Sequence, residues 1–109
     1  MHSLHCPFLE ADVELTDERA AHIAVEHPDL LPEHLALLEN TLAAPDTIRR
    51  NSRSENTRLF TRWFPSVRGG KHVVVVVASD TGPKTRHWIV TAYLTRRLAQ
   101  GARIEWTKD

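Results

Sequence analysis

Three stretches of the chain carry side chains that handle phosphate and protons. In Thr57 to Phe64 (TRLFTRWF) the even positions Arg58, Phe60, Arg62 and Phe64 alternate guanidinium with aromatic ring. A strand places residues two apart on one face, so these four lie together. In Arg86 to Leu94 (RHWIVTAYL) the same period groups His87, Ile89, Thr91 and Tyr93, and sets Trp88, Val90, Ala92 and Leu94 on the other side. Lys71 opens a valine run and shares a face with Val73, Val75 and Val77. An open sheet face bearing Arg58, Arg62, Lys71, His87, Thr91 and Tyr93 could hold a phosphodiester, because guanidinium forks match phosphate oxygens and the ammonium adds charge. The same alternation also describes an ordinary solvated strand face, where threonine and tyrosine stand for their β-propensity alone.

Metal chemistry is not expected. His22 and His27 are five residues apart, whereas two ligands on one helical face need a spacing of four. His2, His5 and Cys6 fall in a lead-in without periodicity and make a poor metal site. The sequence holds no phosphate loop, dinucleotide fingerprint, nucleophile elbow or cysteine pair, so no cofactor is expected.

The elements that must position these residues follow from local signals. Residues 1–15 read as an irregular lead-in with at most a short edge strand, Pro7 interrupting it, and residues 16–109 as one domain. Thr16 is an N-cap with Asp17 and Glu18 in the first turn, where the helix dipole favours anions. That helix must end near His27, before Pro28. A second helix is expected from Pro32 to Pro45, with Leu31, Leu35, Leu38 and Leu42 as its apolar stripe. The period then changes to two. Strands are expected at Thr57 to Phe64, Lys71 to Ser79 and Arg86 to Leu94, preceded by a shorter one around Asp46 to Arg50. Arg103 to Trp106 can add a last edge strand. Gly69-Gly70 and Gly82-Pro83 mark the turns, and such short connections favour antiparallel neighbours. The expected fold is α+β: two N-terminal helices on one face of a four-stranded antiparallel β-meander. The leucine stripe should meet Trp88, Val90, Ala92 and Leu94, leaving the other face free of helices.

Composition bounds the class. With 109 residues there is room for one core, and 41% hydrophobic with 26% charged residues is ordinary globular usage. One cysteine, Cys6, cannot form an internal disulfide, which suits a reducing cytoplasmic setting. The first residues show no signal-peptide pattern, and the longest apolar run, Val73 to Ala78, is far short of the ~20 residues that cross a bilayer. No membrane partner is expected. The formal net charge is zero, yet it is strongly polarised. Met1 to Asp46 holds ten acids and one base, and Thr47 to Asp109 holds thirteen bases and four acids. The positive half could attract phosphates, or the acidic helices could simply neutralise a basic sheet.

The chain resembles the phage-associated branch of the barnase–EndoU–colicin–RelE-like nuclease superfamily. The segments that carry the likeness are His22-Ile23…Glu26-His27-Pro28, Leu42-Ala43-Ala44-Pro45-Asp46, the basic-aromatic strand Arg58 to Phe64, the valine strand from Lys71, Trp88-Ile89-Val90-Thr91-Ala92-Tyr93, and Gly101-x-x-Ile104-x-Trp106. They occur in the family's order over about residues 16–106. The resemblance implies a toxin-like or phage-derived endoribonuclease that cleaves RNA without a metal, with RNA as substrate and an antitoxin or immunity protein as a further partner. It implies a catalytic set of His22 or His27, Arg58 or Arg62, Lys71, and Thr91 with Tyr93. Phe60 and His87 join as substrate-binding residues from the face assignment. The chemistry suits these types, since the neighbouring 2′-hydroxyl of RNA attacks the phosphate, histidine moves protons near neutral pH, and arginine or lysine steadies the transition-state charge. Which histidine acts is open. The alternative is a non-catalytic module of the same fold that binds RNA or protein on the sheet.

Overall fold

The computed structural model describes residues 1–51 and 53–109. Strands β1 (His2–Cys6) and β2 (Ala11–Leu15) form an antiparallel hairpin closed by a single 3₁₀ turn at Pro7–Leu9, with Glu10 left-handed at φ 53°. The lead-in expected to be irregular is therefore paired structure. Leu4, Cys6, Val13 and Leu15 point inward and are buried, and His5 meets Asp12 across the strands at 3.2 Å. Period two was present at Leu4-x-Cys6 and Val13-x-Leu15, in strands too short to stand out.

Helix α1 (Asp17–Glu26) begins as its sequence dictates. Thr16 Oγ1 accepts the Arg19 N–H at 3.1 Å, and His27 closes the last turn before Pro28. Helix α2 (Leu35–Ala43) starts three residues later than Pro32. The intervening segment instead makes turns, with the amides of Leu30 and Leu31 donating to the His27 carbonyl, and tucks both leucines into the core. Leu31, Leu38 and Leu42 are buried, while Leu35 packs at the core's margin.

Strands β3 (Thr47–Asn51), β4 (Ser54–Phe64), β5 (Lys71–Asp80) and β6 (Arg86–Thr95) form the expected antiparallel meander, and β7 (Arg103–Thr107) pairs with β3. Among the described residues the sheet has seven strands rather than four, in the order β1-β2-β6-β5-β4-β3-β7. All neighbours are antiparallel except β2 and β6, which run parallel through the Glu14–Trp88 pair. No helix among the described residues is long and apolar enough to cross a membrane.

The pairing register decides which side chains share a face. Cross-strand rows Arg62–Val73–Leu94, Phe60–Val75–Ala92 and Arg58–Val77–Ile89 point to one side. Val73, Val75, Val77, Phe60, Ile89 and Ala92 form a single buried cluster with Ile23, Leu30, Leu31, Leu38 and Leu42, so this is the side the helices cover. The opposite side carries the rows Trp63–His72–Thr95, Thr61–Val74–Tyr93, Leu59–Val76–Thr91 and Thr57–Ala78–Trp88.

Two expectations are corrected here. Arg58, Phe60, Arg62 and Lys71 face the helix layer, not the open side. A β-bulge opposite Val76/Val77 also inserts one residue into β6, which reverses the alternation within that strand. Ala92 and Leu94 meet the core as expected, but Trp88 lies on the other side and His87 and Ile89 turn inward.

The connection from β6 to β7 has to cross the sheet, because β5, β4 and β3 stand between them. Residues 96–102 form this strap. Arg49 Nη1 donates to the Ala99 carbonyl at 3.2 Å and pins it against the helix-free face. Val74 and Thr61, on the same face, are only 1% exposed.

Candidate functional site

The residues expected to act together are divided by the sheet. Arg62 Nη1 donates to the carbonyls of Asn40 (3.2 Å) and Ala44 (3.4 Å), satisfying the C-terminal end of α2, and its guanidinium lies 5.1 Å from the Phe64 ring. Arg58 pairs with Glu105 at 3.1 Å and stacks 5.6 Å from the Phe8 ring. Phe60 is fully buried, edge-on to Phe8 at 6.2 Å, so it offers no surface to a substrate. Lys71 opens β5 opposite Phe64 on the same helix-facing side. His87 is 8% exposed and shares a 2.7 Å hydrogen bond with Ser79 Oγ, off the open face where the alternation had placed it. His22 is exposed on α1, 2.6 Å from Glu26.

His27 and Tyr93 do come together. The α1 C-cap delivers the His27 ring to 6.0 Å from the Tyr93 ring. On the open face beside Tyr93 the structure adds residues that the alternation had missed. His72 pairs with Thr95 and, one row away, Val74 pairs with Tyr93, which makes His72 and Tyr93 diagonal neighbours. Such neighbours stand about 7–8 Å apart, within reach of aromatic side chains. The Trp63 indole packs edge-on to His72 at 4.8 Å and is 41% exposed. Gly70 makes room for that ring: a Cβ there would lie 2.6 Å from Trp63 Cζ2, and its φ of 106° disfavours any other residue. Asp46 fixes the strand end below, accepting the Trp63 N–H at 2.7 Å. Thr91 is on the same face, two residues back along β6. Arg49 supplies the face with a cation, and its buried Nε finds no hydrogen-bond acceptor among the described residues.

The electrostatics separate the groups. Burial pushes the His72 imidazole below its usual value, Asp46 pulling it back and Arg49 adding to the fall. His87 is lowered by burial and by the positive charge of Arg58. Burial raises the Tyr93 phenol, keeping it protonated as a donor. Both histidines hold fewer protons folded than unfolded. Stability is therefore expected to fall as pH drops below the unfolded value of about 6.5 and to be fully present above it. Urea midpoints between pH 8 and pH 5 measure this, and the His72→Gln/His87→Gln double variant should show a flatter profile over that window.

Sequence gave little warning of which side would be open. The β5 run is valine on both faces, so period two carries no sign of which one meets the helices. Among the described residues no three histidine, cysteine or acidic side chains cluster as metal ligands would. No family model matches the chain, and neither a curated protein nor a solved structure shows detectable similarity to it.

Proposed function

We propose that the protein is a metal-independent endoribonuclease working at the end of the helix-free face where His27, Tyr93, His72 and Trp63 converge. The observation that carries this reading is the placement of these groups: the His27 ring lies 6.0 Å from the Tyr93 ring, and His72, packed on the exposed Trp63 indole, is the diagonal neighbour of Tyr93 across β5 and β6. His72, neutral near pH 7, takes the proton of a ribose 2′-hydroxyl. The 2′-oxygen forms its bond to phosphorus as the bond to the 5′-oxygen breaks, and His27 returns a proton to that leaving oxygen. Tyr93 donates a hydrogen bond to a non-bridging oxygen, and Arg49 adds positive charge where charge develops. Trp63 stacks on a base, and Thr91 lines the approach. The products are a 2′,3′-cyclic phosphate and a 5′-hydroxyl.

With this goes the proposed kinship to the barnase–EndoU–colicin–RelE-like nucleases, which rests on the sequence segments alone. A toxin-like or phage-derived enzyme of this kind would harm its own host when free, so an antitoxin or immunity protein is the partner proposed beside RNA. The test is incubation of purified protein with single-stranded RNA in the presence of a chelator. Cleavage to cyclic-phosphate ends is the expected result. RNA that is bound but left whole would favour the non-catalytic module, and cleavage abolished by the chelator would overturn the mechanism.

A further inference from the structure

On the helix-facing side of the sheet, opposite the side that bears Tyr93 and three residues along β4 from its row, three arginines stand in one cross-strand row. Arg50 of β3 is opposite Arg58 of β4 on one side and opposite Arg103 of β7 on the other. Like charges directly opposite one another destabilise a sheet, so an arrangement of this kind calls for a counter-charge. Glu105, on the bulged stretch of β7, supplies one. It lies 2.7 Å from Arg50 Nε and 3.1 Å from Arg58 Nε, and these arginines lower its carboxyl against the opposing effect of burial.

Arg103 is left exposed and makes no ion pair among the described residues. Arg53, in the turn after Asn51, is exposed as well. The charges gathered here are Arg50, Arg53, Arg58 and Arg103 against Glu55 and Glu105, a surplus of two positives. Beside them lies a cleft of about 490 Å³ lined by Arg50, Asn51, Glu55, Gly101 and Arg103. The Arg50 fork is held in place, its Nε on Glu105 and its Nη1 on the Glu55 carbonyl. A fixed guanidinium beside a free one, with an asparagine amide at the same rim, is the donor set that a phosphate oxyanion takes.

We propose that this cleft is a phosphate-binding subsite that holds a backbone phosphate of a single-stranded nucleic acid. The subsite is distinct from the His27–Tyr93–His72 group. Arg58 and Trp63 are five residues apart along β4, about 17 Å at the strand rise. The anion chemistry stands on the arginine row alone, and its assignment to a strand of RNA rests on the nuclease reading.

A 2′-O-methyl oligoribonucleotide, which lacks the nucleophilic hydroxyl, separates binding from cleavage. Its affinity should fall several-fold in Arg103→Ala, and the slope of log affinity against log salt should shrink by about one. Inorganic phosphate, titrated into the wild-type protein, should shift the Nε–Hε resonances of Arg50 and Arg103 saturably. Arg103→Ala should also raise the Tm in phosphate-free buffer, because it removes one of three facing charges. Unchanged oligonucleotide affinity and salt slope, with no shift at either arginine, would overturn the site. Shifts with phosphate but unchanged oligonucleotide affinity would overturn its assignment to a strand and leave free phosphate as the ligand. Weakened oligonucleotide binding in a protein that never cuts RNA would uphold the subsite while the nuclease reading failed.

Discussion

Replacing His72 or His27 with alanine should each lower the rate of RNA cleavage by about 10²–10⁴-fold, the range that a positioned acid or base supplies. The two come from different elements, β5 and the end of α1, and only the folded chain brings them to Tyr93. Their losses should also differ in kind. With His72 lowered by burial, the acid limb of the pH–rate profile belongs to it, and that limb should disappear in His72→Ala. His22→Ala is the matched control: it is exposed and paired with Glu26 on the outer side of α1, so its loss should leave the rate within about twofold. A loss confined to His22→Ala would move the site to the helix surface and refute the assignment made here.

Phe60→Ala should destabilise the protein by about 3–5 kcal/mol, as the removal of a buried ring from a packed core does. Phe60 is fully buried in the centre of the cluster that joins both helices to the sheet, next to Phe8 and level with Val75. Urea unfolding followed by circular dichroism measures the loss. The sequence pattern had offered this residue as a substrate contact. If that were right, the variant would unfold at the same urea concentration as the parent and lose only binding.

The legible parts of this fold were those with a local cause. Thr16, Pro28 and Pro45 bound the helices because caps and proline act on the nearest turn, and Gly69-Gly70 and Gly82-Pro83 marked the hairpins for the same reason. The strand boundaries from β3 onward moved by three residues at most. What sequence did not convey is set by pairing at long range. The β1–β2 hairpin joins the sheet through β6, some seventy residues later in the chain. One inserted residue in β6 turned His87 and Ile89 inward and Trp88 outward, and no propensity announces a bulge.

The site was legible only in part for the same reason. Of the residues named from sequence, Thr91, Tyr93 and His27 fall at the proposed site because the open side of β6 beyond its bulge and the end of α1 follow the expected order. His72, Trp63 and Arg49, which the proposed site adds, were not named from sequence because the choice between the two faces of the valine strand depends on what the helices cover. Arg58 and Arg62 show the reverse error. Interleaved with aromatics they resemble a phosphate platform, yet Arg62 serves the carbonyls that end α2 and Arg58 holds Glu105.

The most direct measurement of the central claim uses a DNA oligonucleotide that contains a single ribonucleotide, incubated with the wild-type protein in chelator. If the 2′-hydroxyl is the nucleophile and the protein's own side chains move the protons, the strand is cut once, on the 3′ side of that ribonucleotide. The upstream fragment should then carry a 2′,3′-cyclic phosphate. The all-DNA control should remain whole. Cuts at deoxyribonucleotides, or a substrate left intact at protein concentrations that saturate binding, would contradict the account.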